Sequence, residues 1–383
     1  MTDDRVGPVM AGSALRAWEL ACVLAAAGHE VRVAAAEGSR SPSGRGPSVV
    51  RRPSWRWAEA VVAPPWVVRP RPLGAGKRLV VDGATPLLAE LAAMPSSRRV
   101  DRRRRTARAS LQLALGRADA VLAAGSAQER WWRRRLDAAG RSEVPVLQVP
   151  FGVPESDPAA DRDEIPGVPP NWAVVLWWGG VWPWLDLETL LAARARLGSA
   201  PVSVVVPTGR RPGAESPTID DVMLAALSTR HGLEPPQVVG LERWVPYHER
   251  HRILNRTSLL AVLHLPGEEA ELSFRTRALD GVWAGVPMLL TEGGAVADLV
   301  RERGWGAVVP PREPRQTAAA IELALAERQQ LRFRSALAAD RDGWRWGRVA
   351  EPLVAILPRL PQAPRGRFLW AAAKAAWALA GRG

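Results

Sequence analysis

The stretch GEEAELSFRTRALDGVWAGVPM, residues 267–288, crowds three glutamates, two arginines and an aspartate into one amphipathic segment that ends at Gly285 and Pro287. Arginine presents planar, bidentate donors suited to phosphate and carboxylate. The amides that open a helix add a further anion site, because the first turn's N–H groups lack intrahelical partners. The bland alternative is an arginine-rich helix with a solvated face. Just upstream, His264 ends the apolar run SLLAVLHL, where it either touches a ligand or is a satisfied structural histidine. VGPVMAGSALRAWEL, at 6–20, places Gly7 and Gly12 ahead of a helix, a usual place for anion contact, though a plain turn explains the same glycines. Asp82, after the run RLVV, either faces a ligand at a strand end or caps the next helix.

Positioning such groups falls to the elements around them. From Arg16, RAWELACVLAAAGHEVRVAAA reads as an apolar-faced helix stopped at Gly28 and followed by a strand at 30–35. AEAVVAPP (58–65), KRLVVDGATP (77–86), RADAVLAAGS (117–126) and VPVLQVPFGVP (144–154) are short apolar runs ending in turns. Between them lie a helix from Leu87, a basic helix or lid at 96–110 and a Trp/Arg helix from Gln128 to Ala138. ESDPAADRDEIPGVPP (155–170) is polar and proline-rich, the composition of a linker. The strand–helix alternation then restarts with WAVVLWWGG at 172–180 and continues to GAVVPP at 306–311. Apolar runs without a two-residue period, alternating with helices, predict parallel sheets covered on both faces. The expected fold class is therefore α/β, with two Rossmann-like doubly wound domains facing across a cleft. Their expected limits are 1–154 and 171–345, with 346–383 as a crossover to the first domain and an amphipathic tail. Ligands bind in such clefts at the carboxyl ends of the strands.

Composition narrows the function classes. The chain has 383 residues, 47% hydrophobic and 24% charged, suited to two globular domains. Its net charge of +13 is almost wholly arginine, because the only lysines are Lys77 and Lys374. That balance fits a phosphorylated substrate, an anionic membrane face or nucleic acid, and equally a coding bias toward Arg, Ala and Gly. No RNA- or DNA-reading motif is present, so nucleic acid is not an expected partner. Cys22 is the single cysteine, which excludes an intrachain disulfide and a cysteine-based zinc site. No His/Asp/Glu set has metal-ligand spacing, and Asp161-Arg-Asp163 falls in the linker, so no metal is expected. The absence of a long apolar run and the acidic, polar start make the cytoplasm the expected location. RGRFLWAAAKAAWALAGRG at the C-terminus and RRVDRRRR at 98–105 together suggest contact with an anionic membrane surface, against the alternative of a helix packed on the protein.

These blocks resemble the retaining nucleotide-sugar glycosyltransferases of the GT-B fold, specifically the large glycosyltransferase family 4 (group 1) type. MAGSALRAWELACVLAAAGHEV looks like that family's Gly-rich loop and first helix, VPFGV like the end of its first domain, and WWGGVWPWLDLETLL like the opening of its second. FRTRALDGVWAGVPMLLTEGGAVADLV is similar to its donor-binding signature. The resemblance implies that Asp280 accepts hydrogen bonds from ribose hydroxyls. It implies too that the amides around Ser273, Phe274, Arg275 and Thr276 meet the diphosphate, with Arg275, ahead of Arg277, adding charge. Gly12 then belongs to the phosphate-side loop, Val245 and Pro246 meet the nucleotide base, and Arg16 and Asp82 lie on the acceptor side.

Three departures qualify it. Leu272 stands where the first acid of the family's pair belongs, so Glu269, ahead of Glu271, is the preferred partner of the sugar hydroxyls, with His264 as the second catalytic candidate. Gly180 and Leu185 occupy the positions of the family's Arg and Lys; Gly179 and Gly180 leave room for backbone approach, and neutralisation falls to Arg210 or Arg275. The family's first strand has no counterpart ahead of MTDDRVGP, so either the assigned start lies too late, the favoured reading, or the sheet lacks a strand. The expected activity is retaining transfer of a sugar from a nucleotide-diphosphate donor to a carbohydrate or lipid-linked acceptor, as in cell-envelope polysaccharide synthesis. No cofactor is required, and the enzyme would work in the cytoplasm or at the inner face of the plasma membrane. The alternatives are a catalytically inactive GT-B protein, which the departures favour, and a nucleotide-sugar epimerase.

Overall fold

The aliphatic runs become short parallel strands, and the computed structural model describes them over residues 1–42, 44, 46–52, 57–68, 77–214 and 217–361. The amphipathic tail from 365 onward lies outside these residues. In the N-terminal half β1 (Arg32–Ala34) pairs with β2 (Ser48–Val50). A second sheet runs β3 (Ala60–Ala63), β4 (Arg78–Asp82), β5 (Ala120–Ala123) and β6 (Val146–Gln148), all parallel. Helices α1 (Gly12–Ala26), α2 (Leu87–Ala93), α3 (Arg98–Arg117) and α4 (Ser126–Ala138) lie along this half. Val80, Val81, Val121 and Leu122 are wholly buried, which is why these strands lack an alternating pattern. Met1 and Thr2 sit between the two sheets: the Thr2 amide donates to the Ala34 carbonyl (3.0 Å) and the Met1 amino group to that of Val62 (2.7 Å).

The C-terminal half is one six-stranded parallel sheet. Its strands are β7 (Ala173–Trp177), β8 (Val202–Pro207), β9 (Val238–Leu241), β10 (Leu259–Val262), β11 (Met288–Thr291) and β12 (Gly306–Val309), in the order β12-β11-β10-β7-β8-β9. Between and after them come α5 (Leu187–Arg196), α6 (Asp221–Thr229), α7 (Arg250–Leu254), α8 (Glu268–Leu272), α9 (Arg277–Ala284), α10 (Gly294–Arg303), α11 (Pro314–Leu325) and α12 (Glu327–Asp340). The winding reverses between β7 and β10, so the crevice beyond their carboxyl ends is the place for a ligand.

The polar segment 155–170 is tied to the C-terminal half. Its acids meet bases there: Asp157 pairs with Arg345 (2.6 Å), Asp161 with His251 (2.9 Å) and Asp163 with Arg243 (2.8 Å). After α12 the chain returns through α13 (Trp346–Val349) and α14 (Glu351–Ile356) to the N-terminal half. There the Trp346 amide donates to Val153 (3.0 Å), and Arg78 Nε to the Leu360 carbonyl (2.7 Å). Phe151 packs on Phe274 (6.3 Å between ring centres) and Trp346 (6.0 Å), so one apolar cluster runs through both halves beneath the cleft.

Candidate functional site

A cleft of about 860 Å³ opens between the halves. Its C-terminal wall is built from the loop after β7 (Trp178–Gly180), from His264 beyond β10, from Glu269 on α8 and from the start of α9. The opposite wall carries Gly12 and parts of α2 and α3. Ser273 is extended and Thr276 serves as N-cap of α9. A side chain on Gly12 would begin 3.9 Å from Thr276 Oγ1, so the glycine loop and the helix start face each other closely. The helix ends where Gly285 turns left-handed (φ 67°), and the Val286 amide closes back on Gly281.

Asp280 lies in the first turn of α9 and lines the cleft. Its Oδ1 accepts from Arg250 Nε (2.7 Å) and its Oδ2 from Trp178 Nε1 (2.8 Å). Arg250 is clamped between the rings of Tyr247 (3.8 Å) and Trp283 (4.0 Å), which holds the carboxylate in one orientation. Each oxygen retains acceptor capacity, and at 21% side-chain exposure the group remains open to hydroxyl donors.

The cation beside Gly179 and Gly180 is Arg277. Its Nη2 donates to the Gly180 carbonyl (2.7 Å), and its buried Nη1 has no partner. A Cβ on Gly179 would lie 3.1 Å from Arg277 Nε, so the glycine makes room for the guanidinium. Burial lowers this group to about 10, which leaves it charged at neutral pH. The two arginines expected here are placed otherwise. Arg210 is exposed and off the cleft wall; its neighbour Arg211 lines the wall and is paired with Asp4 (2.8 Å). Arg275 touches the cleft but is 2% exposed, and its guanidinium donates to the carbonyls of Thr291 and Glu292, which fastens the β11–α10 loop.

His264 Nδ1 and Glu269 Oε2 are 2.8 Å apart, each side chain 5% exposed. Burial raises Glu269 to about 7, against the pull of Ser273, Arg275 and Arg277. Burial and the same two arginines push His264 well below its ordinary value, so the imidazole is neutral. One proton lies between the ring nitrogen and the carboxyl oxygen. Glu271 is exposed and off the cleft wall, while Leu272 packs inward at 8% exposure.

Val245, Phe274 and Gly180 also line the cleft, but Asp82 and Arg16 do not. Arg16 Nε donates to both Asp82 oxygens (2.9 and 2.8 Å), and Nη1 and Nη2 each donate once, to the carbonyls of Pro150 and Val149 (2.9 Å each). With each guanidinium nitrogen partnered, the pair ties α1 to the ends of β4 and β6.

Several lining residues escape sequence reasoning. Trp178 and Arg250, which orient Asp280, carry no local signal, because they come together only through the fold. Glu90 does carry one: it is the single charged residue of α2, LLAELAA, and lines the N-terminal wall. Burial and the nearby Glu269 raise it to about 7, opposed by Arg211 and Arg103. Trp182 and Trp184 stack at 5.5 Å along the cleft. Among the described residues no helix is long and apolar enough to cross a membrane.

No family model matches the chain, and no curated protein matches it in sequence. Solved structures do. Sucrose-phosphate synthase from Thermosynechococcus elongatus superposes with a TM-score of 0.67 at 16% identity, over 94% of this chain and 98% of that one. WaaG, a glycosyltransferase involved in lipopolysaccharide biosynthesis, gives 0.64 at 16% identity over 93% and 97%. Anabaena HepE in complex with UDP-glucose gives 0.61 at 17% identity over 94% and 99%. The architecture is thus α/β with parallel sheets, shared along nearly its whole length with GT-B glycosyltransferases.

Proposed function

We propose that the chain is a glycosyltransferase that takes a sugar from a nucleoside diphosphate donor, bound on the C-terminal half, to an acceptor held by the N-terminal half. The observation that carries the reading is Asp280 held by Arg250 and Trp178 in the first turn of α9, with the helix start and Arg277 beside it. In this reading Asp280 accepts the ribose hydroxyls, and the backbone at Val245 meets the base. The amides of Ser273–Thr276 and the free Nη1 of Arg277 take the diphosphate. His264 and Glu269 face the donor sugar. HepE, which shares the fold, is described as a complex with UDP-glucose, which makes uridine nucleotides the first probes.

The acceptor oxygen forms its bond to the anomeric carbon as the bond from that carbon to the diphosphate breaks, and the hydroxyl proton leaves with the diphosphate. Charge grows on the departing phosphoryl oxygens, where Arg277 and the helix start are already oriented. Retention is adopted from the resemblance to the family, and no protein nucleophile is invoked. The non-catalytic alternative rested on the missing first strand, on Leu272 and on the absent cations at Gly180 and Leu185; Arg277 next to Gly180 weakens the last of these grounds.

A thermal-shift panel of UDP, GDP, ADP, UDP-glucose and uridine tests the donor site. A ligand at about 100 times its Kd stabilises the folded state by about 2.7 kcal/mol. One nucleoside diphosphate should raise the Tm of the parent and fail to raise that of Asp280→Ala. Equal shifts in parent and variant, or none from any diphosphate, would overturn the donor assignment.

A further inference from the structure

The N-terminal wall of the cleft carries a row of cations that the donor does not need. Arg99, Arg102, Arg103 and Thr106 lie three, four and seven residues apart on α3, on one helical face, and all four line the cleft. The three arginines take part in no hydrogen bond, ion pair or ring contact among the described residues. Their neighbour Arg104 shows the contrast. It is spent on structure, donating to Asp101 (3.0 Å) and to the carbonyls of Leu91 (3.0 Å) and Met94 (3.1 Å), which fixes α3 against α2. Val100, Leu111 and Leu115 are buried along the same helix, so the row sits on a rigid support.

Like charges on neighbouring turns repel, and no acid of α3 relieves them, because Asp101 is held by Arg104. Such a row becomes favourable when an anion joins it. The donor diphosphate already has Arg277 and the start of α9 on the other wall. Glu90 stands between, close enough to Arg103 on one side and Glu269 on the other for both to act on its carboxyl. The cleft therefore presents, in order, three open guanidinium groups, a carboxyl and the donor-side pair His264–Glu269.

We propose that the acceptor is anionic and carries a phosphoryl group, which Arg99, Arg102, Arg103 and the Thr106 hydroxyl hold while the accepting sugar hydroxyl lies toward Glu90. This deepens the transferase reading and rests on it for the word acceptor, but the binding site itself does not depend on the donor. Two sources offer the same chemistry: a soluble sugar phosphate and a lipid-linked phosphate. The small apolar recess lined by Trp66, Leu111 and Trp131 adjoins this wall and would suit the first carbons of a lipid.

The test is calorimetric titration of the full chain, with and without saturating UDP. The probes are glucose 6-phosphate against glucose and farnesyl monophosphate against farnesol. At least one phosphorylated probe should bind about tenfold or more tightly than its neutral partner, since each charge-assisted contact contributes on that scale. Arg99→Gln/Arg102→Gln/Arg103→Gln should lose that preference. Arg105→Gln/Arg108→Gln, which removes exposed charge from α3 outside the cleft, should keep it. Preference for the first phosphate identifies a soluble acceptor and preference for the second a lipid-linked one. The proposal fails if neither phosphate outbinds its neutral partner, or if the two variants lose affinity equally, which would mark a general positive field. Absence of UDP binding would sink the donor reading instead, and the nucleotide-free titrations would still decide this one.

Discussion

Arg277 fills the space that a side chain on Gly179 would take, and its buried Nη1 has no partner. An unsatisfied buried donor is costly, whereas a charge-assisted bond to phosphate contributes about 1.5–3 kcal/mol. Arg277→Gln should therefore weaken nucleoside diphosphate binding roughly tenfold or more in a titration with UDP while leaving uridine binding unchanged. Glu269 makes a different prediction. Its carboxyl rises from 4.5 to about 7 because burial disfavours its charged form, so the folded protein holds a proton that the unfolded chain has released. The contribution favours the fold below about pH 4.5 and is lost progressively as pH rises toward 7. Glu90 acts in the same direction. Urea unfolding of Glu269→Gln should show a shallower fall in stability across that window, by about 1–3 kcal/mol; an unchanged slope would mean that the carboxyl is not desolvated.

At the scale of elements, α9 must lie close against β11 for its first turn to reach the cleft. Gly281 permits this: a Cβ there would lie 2.8 Å from the Val286 carbonyl oxygen and 3.0 Å from Met288 Cγ. Gly281→Ala should cost about 1–3 kcal/mol by overpacking and should weaken UDP binding, since the displaced helix carries Asp280 and Arg277 with it. The Arg16–Asp82 pair belongs to this scale as well. Removing one partner of a buried ion pair costs about 3–5 kcal/mol, so Asp82→Ala should lower stability in chemical denaturation. A selective loss of acceptor affinity at full stability would refute the structural role given to it here.

For the whole molecule the crossover through α13 sets how the halves meet. Gly152 lies under Trp346, and a Cβ there would come within 2.9 Å of the Trp346 Cα and of Val349 Cγ2. Gly152→Val should push the crossover off the N-terminal half, lower stability by about 1–3 kcal/mol and raise the radius of gyration measured by small-angle scattering. The aromatic contacts of Phe151 with Phe274 and Trp346 run through the same region, so the cleft shares its foundation with the interdomain core.

Residue pattern alone determined the α/β class, the parallel sheets and the position of the Asp280 helix, because periodicity and helix punctuation are local properties of the chain. It also brought Glu269, His264 and Asp280 forward as neighbours in one short stretch. The tertiary structure decided which charges are free. Arg275 and Arg277 are two residues apart and indistinguishable by type, yet the first spends both terminal nitrogens on the carbonyls of Thr291 and Glu292, which leaves only its Nε unpartnered, while the second keeps a buried terminal Nη1 without a partner beside the cleft glycines. Arg16 and Asp82 sit at strand and helix ends that suit an acceptor site, yet they neutralise each other. The row on α3 reads as a basic helix, and only its packing shows which arginines line the cleft. Side-chain availability depends on partners supplied from distant parts of the chain, and no local pattern encodes them.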